Sequence, residues 1–505
     1  MAEYIRRLPF VVLLVFFAVG AMLIPAFYAW ATEDQVTAQA FLYSALLIAV
    51  AAGLLGLATQ GARRLNSDRG YLVALLICYL WLPLILSIPM MEAVGNTRFV
   101  NVYFDMISAL TTTGAEIFEP ERLAPAVHLW RGLVAWLGGL LIWVTALAVL
   151  QPLNLGGYEV TSEANIAGRI AIGSGQMRTA SASSRLLRNA RRLTPIYMAL
   201  TAILALALLI MGETFLVAVV HAMSTMSTSG ISPQNGLING GAGMAGEMLI
   251  FLFLVFALSR RSFISGFGQD LVERMSRDRE VRLALFAVVV LPTLLFVRHW
   301  IGALEVDDLA NAEAATRALW GSVFTVASFL TTTGFVSDDW ALARSWSGLP
   351  TPGLLLMGLV IMGGGVATTA GGLKLLRVYA LYKHGAREIE KLIHPNSVAG
   401  AGRMGRRIRR EGAYIAWIFF MLFLVSIAVV VLALAMTGLD FEQAMILAVA
   451  ALSTTGPLAN VAGEAPISYL LLSDPAKLIL AAAMIVGRME ALVLIALFNP
   501  GFWRG

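Results

Sequence analysis

Long and short apolar runs alternate along this chain in a fixed order. Two long runs, at about 8–30 and 38–59, come first, joined by Thr32-Glu33-Asp34-Gln35 and closed by a basic turn from Arg63 to Arg69. From there the order is long, short, long, four times over. Unit one has long runs near 70–90 and 128–150 around a short one at 101–110, and unit two has 194–211 and 243–259 around 214–226. Unit three has 282–300 and 351–380 around 314–330, and unit four has 413–437 and 475–498 around 440–452. A helix needs about 20 apolar residues to cross a bilayer. The long runs therefore predict spans, and the short ones predict re-entrant helices that enter the membrane and return. The predicted fold is an all-α polytopic membrane protein, with four parallel span–half-helix–loop–span units around one pore. An extra helix pair precedes them, and the boundaries fall at 1–66, 67–155, 156–262, 263–400 and 401–505.

Each short run ends in hydroxyl residues and a glycine. The stretches are Leu110-Thr111-Thr112-Thr113-Gly114, Met226-Ser227-Thr228-Ser229-Gly230, Leu330-Thr331-Thr332-Thr333-Gly334 and Leu452-Ser453-Thr454-Thr455-Gly456. One such stretch reads as an ordinary turn or helix cap. Four at spacings of 116, 104 and 122 residues, each in the same context, read as an internal repeat.

Charge gives the repeats a direction. Of the 36 Lys and Arg, 27 fall in the segments 1–7, 61–69, 151–192, 259–282 and 373–412. Segments 212–242 and 438–474, which carry the second and fourth loops, hold none, but do hold Glu213, Asp440, Glu442, Glu464 and Asp474. Basic residues mark the cytoplasmic side. All four loops then face outward, the N-terminus is cytoplasmic and the repeat axis runs along the membrane normal. This asymmetry also accounts for the net charge of +5, without any need for nucleic acid. Composition agrees: 59% of residues are hydrophobic, 13% are charged, and the mean hydropathy is +0.79. The lone Cys78 excludes a disulfide within the chain. Arg6-Arg7, the apolar run after it and Ala29-Trp30-Ala31 mimic a secretory leader. The run is long enough to span, and a second span follows directly, so a retained first helix is expected.

Loops of this kind, gathered on one axis, suit a cation. A cation sheds its water only where oxygens replace it, and rings of backbone carbonyls supply them. Glycine keeps such a conduit clear and adopts torsions that other residues resist. The half-helices aim their partially negative C-terminal ends at the axis. Glu116, Asp338 and Asp339 follow the first and third glycines, as vestibule carboxylates that concentrate cations or as an ordinary solvated loop. His221 reads as packing.

Two features interrupt the spans. Residues Gly363-Gly364-Gly365-Val366-Ala367-Thr368-Thr369-Ala370-Gly371-Gly372 hold five glycines in ten positions. Glycine costs a helix about 1 kcal/mol relative to alanine, so a flexible break is expected here rather than close helix packing alone. Arg488 lies inside an apolar run. An ionisable residue there marks function or a structural ion pair; Glu490, two residues on, points a different way on a helix.

Together with Trp136-Leu137-Gly138-Gly139, Leu392-Ile393-His394-Pro395-Asn396 and the close Phe498-Asn499-Pro500-Gly501-Phe502-Trp503-Arg504, these stretches resemble the Trk/Ktr/HKT superfamily of potassium transporters. Within it the chain is similar to the membrane subunit of a bacterial Trk system. The resemblance implies a potassium-binding filter at Thr111, Thr112, Thr113 and Gly114, at Thr228, Ser229 and Gly230, at Thr331, Thr332, Thr333 and Gly334, and at Thr454, Thr455 and Gly456. The second and fourth loops depart from Thr-Thr-Thr-Gly, which bears on strict symmetry more than on carbonyl coordination. It implies a gate beneath the filter at Gly363, Gly364, Gly365, Thr368, Thr369, Gly371 and Gly372, with Thr368 and Thr369 bonding across the shut pore and Arg488 as an electrostatic barrier. It further implies a homodimer in the cell inner membrane with a cytosolic nucleotide-binding regulatory subunit. That subunit would dock on the basic segments, Arg403 to Arg410 above all, which equally suit anionic lipid heads. No cofactor is expected beyond potassium as the transported ion. The chain has no Walker A run and no glycine fingerprint after a strand, so any nucleotide response belongs to the partner. The residues alone specify a monovalent cation and leave open a less selective channel. The potassium-translocating subunit of a P-type pump shares the four-unit plan. An intramembrane enzyme would need a nucleophile–base pair or a metal cluster, and the spans offer neither.

Overall fold

Every regular element is helical among the residues that the structure, a computed structural model, describes: 10–59, 68–151, 157, 182–234, 236–238, 240–259, 278–303, 312–348, 353–394 and 410–490. The opening pair is α1 (Phe10–Ala31) and α2 (Gln35–Ala58), and Asp34 caps α2 by accepting the Thr37 N–H. The first unit comprises α3 (Asp68–Val94), α4 (Phe99–Leu110) and α5 (Pro125–Thr145), the last continuing as a wider turn through Leu150. The second comprises α6 (Ala182–Ile210), α7 (Phe215–Ser227) and α8 (Gly243–Leu254). The third comprises α9 (Arg279–Ala303), α10 (Ala312–Leu330), a surface helix α11 (Trp340–Ser347), α12 (Gly353–Met362) and α13 (Leu375–Ile393). The fourth comprises α14 (Arg410–Ala435), α15 (Phe441–Leu452) and α16 (Asp474–Met489).

Among the described residues, seven helices of 20 to 27 residues are long and apolar enough to cross a membrane. Leu46 and Leu47 of α2 are 68% and 63% exposed, which fits a lipid-facing belt and no water-facing helix. Two of the ten expected spans end earlier than the hydrophobic pattern suggests. α12 stops at Met362 where the glycine run begins and α16 stops at Met489, whereas α8 with its tight turn to Ala257 ends within two residues of the expected span. Hydropathy does not see a backbone break, so it drew 351–380 as one rod. α6, conversely, begins at Ala182 rather than near 194, because a basic amphipathic turn extends it. The basic stretches 1–7, 61–67, most of 151–192, 260–277 and 395–409, and the close after 490, lie outside the described residues.

The units pack in a closed circuit. α5 of the first lies on α7 of the second, and α8 of the second on α10 of the third. α12 of the third lies on α15 of the fourth, and α16 of the fourth returns to α4 of the first. The short helices α4, α7, α10 and α15 are thereby held inside a ring of long ones. All their final residues are buried, down to Leu110, Ser227, Leu330 and Leu452.

Candidate functional site

The four short helices end in one shared turn. The residue before each glycine donates its N–H to the carbonyl five residues back: Thr113 to Ser108 at 2.8 Å, Ser229 to Ser224 at 3.0 Å, Thr333 to Ser328 at 2.9 Å and Thr455 to Ala450 at 2.8 Å. One residue earlier, Thr112, Thr228, Thr332 and Thr454 have φ of 55°, 54°, 57° and 52°. A β-branched residue rarely enters this left-handed region, and strained torsions gather at functional sites. Here the strained threonine recurs at the same position four times.

The loops that follow meet one another. Gly114, Gly230 and Gly334 have φ of 69°, 68° and 83°, and a Cβ on Gly114 would overlap the carbonyl oxygen of Ser229, as one on Gly230 would overlap that of Thr333. A Cβ on Gly334 would come 2.9 Å from Pro457. The Gly456 N–H donates to the Thr113 carbonyl at 2.5 Å, closing the circle from the fourth loop to the first. Only glycine allows this approach with these torsions. The fourth corner differs from the rest, since Gly456 opens a tight turn through Asn460 with Pro457 at its start. Outside the ring lies an open cavity of about 770 Å³ lined by all four glycines.

Beneath the ring lies the glycine run. Residues 363–374 leave helical geometry between α12 and α13, as the glycine content predicts. The loop is pinned above and below. Gly371 donates its N–H to Thr332 Oγ1 at 2.7 Å, and Thr369 Oγ1 donates to the Met226 carbonyl at 3.2 Å. The Val366 N–H donates to Glu280 Oε1 at 2.8 Å, and the Gly365 N–H to the Ala257 carbonyl at 3.0 Å. Lys374 Nζ donates to the Ala370 carbonyl within the same loop. Thr368 Oγ1 donates to the Gly365 carbonyl at 2.8 Å, so Thr369 alone of the two threonines reaches across to another unit. Arg488 Nη1 donates to the Thr369 carbonyl at 2.6 Å and is 5% exposed. Glu490 pairs with Arg377 at 2.7 Å rather than with Arg488, and the Arg377 guanidinium stacks 3.7 Å over Phe419. Arg488 thus touches the loop, and among the described residues no carboxylate lies within ion-pair distance of it.

The expected vestibule carboxylates have partners. Glu116 lines the outer cavity but lies 3.3 Å from Arg131 Nη2. Asp339 is buried against Arg317 at 2.7 Å. Asp338 lines the cavity from an exposed position, and its N–H donates to Glu247 Oε1 at 2.7 Å. His221 packs edge-on against Phe335, and its Nε2 meets Ser232 Oγ at 2.8 Å. Four further ionisable residues brace the loops unannounced. Asp105 and Arg131 stand behind loop one. Glu247 accepts from Trp320 Nε1 and Ser337 Oγ behind loop three, both at 2.8 Å. Lys477 holds Asn101 Oδ1 at 2.8 Å where the fourth unit meets the first. The signal for each was the one that marked Arg488, a charge inside an apolar stretch.

Comparison with known proteins agrees with this architecture. The chain is 32% identical over 475 residues to the Trk system potassium uptake protein TrkH of Halomonas elongata, covering 92% of each. It belongs to the TrkH family. A TrkH-family sequence model, described as "Cation transport protein", matches residues 280–503. The TrkH protein of Escherichia coli K12 is 29% identical over 504 residues, with 97% of this chain and 98% of that one aligned. The crystal structure of the potassium transporter TrkH from Vibrio parahaemolyticus superposes with a TM-score of 0.79 at 26% identity, over the whole of both chains. The all-α membrane fold of this TrkH-family chain is therefore that of a solved transporter, and its relatives are named as transporters rather than enzymes.

Proposed function

We propose that this chain is the translocating subunit of a Trk-type potassium uptake system in the cell inner membrane, with its N-terminus cytoplasmic. The observation that carries the reading is the closed ring of four loops, each with a left-handed threonine before its glycine. The carbonyls of four such loops, gathered into one ring, together replace the water of a bare cation. The filter comprises Thr111 to Gly114, Thr228 to Gly230, Thr331 to Gly334 and Thr454 to Gly456, within units bounded at 66, 155, 262 and 400. Potassium, rather than another monovalent ion, rests on the names of the relatives, all potassium uptake proteins.

Ions held in the filter leave downward, where the glycine loop stands in the way. Gly363 to Gly372 form the gate, with Thr369 and Arg488 as its latch. Arg488 keeps a cation from settling below the filter, because its charge repels one there in a low-dielectric setting. A cytosolic nucleotide-binding subunit works the gate from the basic face, and the transporter is a homodimer. Expression in a bacterium lacking its own potassium uptake, with a Trk-type regulatory subunit supplied, tests the reading. Growth on low potassium and rubidium uptake are expected. Neither would appear, with the protein present in the membrane, if the reading were wrong.

A further inference from the structure

A line of polar side chains runs behind loops one and two, and ion coordination by carbonyls gives it no task. Asp105 on α4 stands nine residues before Gly114, and His221 on α7 stands nine before Gly230. Arg131 of α5 donates Nε to Asp105 Oδ2 at 2.8 Å and Nη2 to Oδ1 at 3.2 Å. The same Nη2 is 3.3 Å from Glu116 Oε1. That oxygen also accepts the N–H of Ser232 at 3.3 Å, and Ser232 Oγ meets His221 Nε2 at 2.8 Å. Glu116 and Ser232 are each the second residue after a filter glycine. The line therefore joins two pore helices through the loops they carry, crossing from the first unit to the second without a gap. Asp105, Arg131, His221 and Ser232 are at most 2% exposed. Only Glu116 reaches the outer cavity.

The other two units are braced differently, the third by Glu247 of α8, which accepts from Trp320 Nε1 and Ser337 Oγ behind its loop. The matching helix position is Thr325 in the third, whose Oγ1 accepts the Ser337 N–H at 3.3 Å, and Leu447 in the fourth. In the fourth unit an apolar residue at this position is thus sufficient. Burying the Asp105 carboxylate and the Arg131 guanidinium, with Glu116 half-buried beside them, costs desolvation that packing would avoid, and such groups are retained where they fix one geometry.

We infer that Asp105, Arg131, Glu116, Ser232 and His221 form a positioning network that sets the spacing of loops one and two, and that Glu116 serves it as a hydrogen-bond acceptor rather than as a fixed charge that attracts cations. The inference rests on the reading of these loops as the filter. Discrimination between cations depends on the distance or the field of the carbonyls. Both change when one loop slides against its neighbour, and Ser229 already lies against Gly114 with no room to spare. These are positioning residues, acting through the carbonyls of Thr113 and Ser229.

Glu116→Gln separates the two roles, because its amide oxygen still accepts from Ser232 and Arg131 while its charge is gone. Glu116→Ala removes both. Rubidium uptake is measured with and without competing sodium in proteoliposomes at matched protein content, giving an apparent KM and a rubidium-over-sodium ratio. Glu116→Gln is expected to keep both within about twofold of the parent, whereas Glu116→Ala lowers the ratio about fivefold, the factor one such hydrogen bond supplies. Ser232→Ala, which leaves the ion pair whole but removes the link to His221 together with the hydroxyl's bonds to the Gly236 carbonyl and the Gln234 N–H, lowers the ratio by about half or more with KM unchanged. It decides the matter if Glu116→Ala does not accumulate. A KM that rises as much for Gln as for Ala makes Glu116 a charge and overturns the inference. An unchanged ratio in Ser232→Ala or Glu116→Ala overturns it equally. Gly334→Ser, in the third loop, is the control. If it too leaves the ratio untouched, the filter reading itself fails; if it alone collapses the ratio, only the network does.

Discussion

Asp105 and Arg131 meet where the fourth unit has two leucines. Gly138 of α5 packs on the Leu110 carbonyl as Gly487 of α16 packs on that of Leu452, which aligns the two helices. Seven residues before these glycines stand Arg131 and Leu480, and on the short helices stand Asp105 and Leu447. Removing one member of a buried ion pair costs about 3–5 kcal/mol, while replacing both with apolar residues is often neutral. Arg131→Leu is therefore expected to lower the thermal midpoint in detergent sharply, and Asp105→Leu/Arg131→Leu to recover most of the loss. A double variant no more stable than the single one would show that the pair does not act as a unit. None of this pairing was legible beforehand, since Asp105 and Arg131 lie 26 residues apart and meet only through the packing of α4 on α5. Glu116 was visible as a carboxylate near a pore mouth, but its partner was not. Arg488 stood out because an unbroken apolar run surrounded it, whereas Arg131 sits only six residues past Pro125, near the start of its helix.

At the scale of elements, the short helices were read to within two residues at every end, because a hydroxyl–glycine stop is a sharp local signal. The glycine run was legible as a break for the same reason. What composition could not give is where the broken loop docks. It sits beneath loops three and four, and a Cβ on Gly371 would overlap the Ser453 carbonyl and the Thr454 hydroxyl, as one on Gly365 would overlap the Leu258 carbonyl. Gly365→Ala/Gly371→Ala is thus expected to push the loop off its seat and raise rubidium leak from proteoliposomes several-fold in the absence of the regulatory subunit. Leak and uptake kinetics both identical to the parent would remove the loop from the gate. The end of α16 belongs to the same assembly, since Arg488 and Glu490 hold the loop and α13 respectively. Hydropathy had drawn that helix straight on past both.

Across the whole molecule, the circuit closes at the seam between the fourth unit and the first. Two of the side-chain contacts there are of unequal worth. Arg98 and Asp474 pair at 3.2 Å with side chains 75% and 40% exposed, and such a pair contributes at most about 1 kcal/mol. Lys477 and Asn101 are buried, and a hydrogen bond to a charged group contributes about 1.5–3 kcal/mol. Asn101→Ala is therefore expected to lower the melting temperature clearly more than Asp474→Ala, and the reverse order would place the seam's stability elsewhere. The repeat itself was readable from the spacing of four glycines, but neighbouring units touch through residues that no period marks.

One polypeptide supplies every quadrant of the ring, and this shapes how the ring can change. In an assembly of identical subunits, one codon alters all corners at once. Here a substitution retunes a single corner and leaves three as they were. Pro457 sets the fourth corner apart in this way, and the Asp105–Arg131–Glu116 brace the first and second.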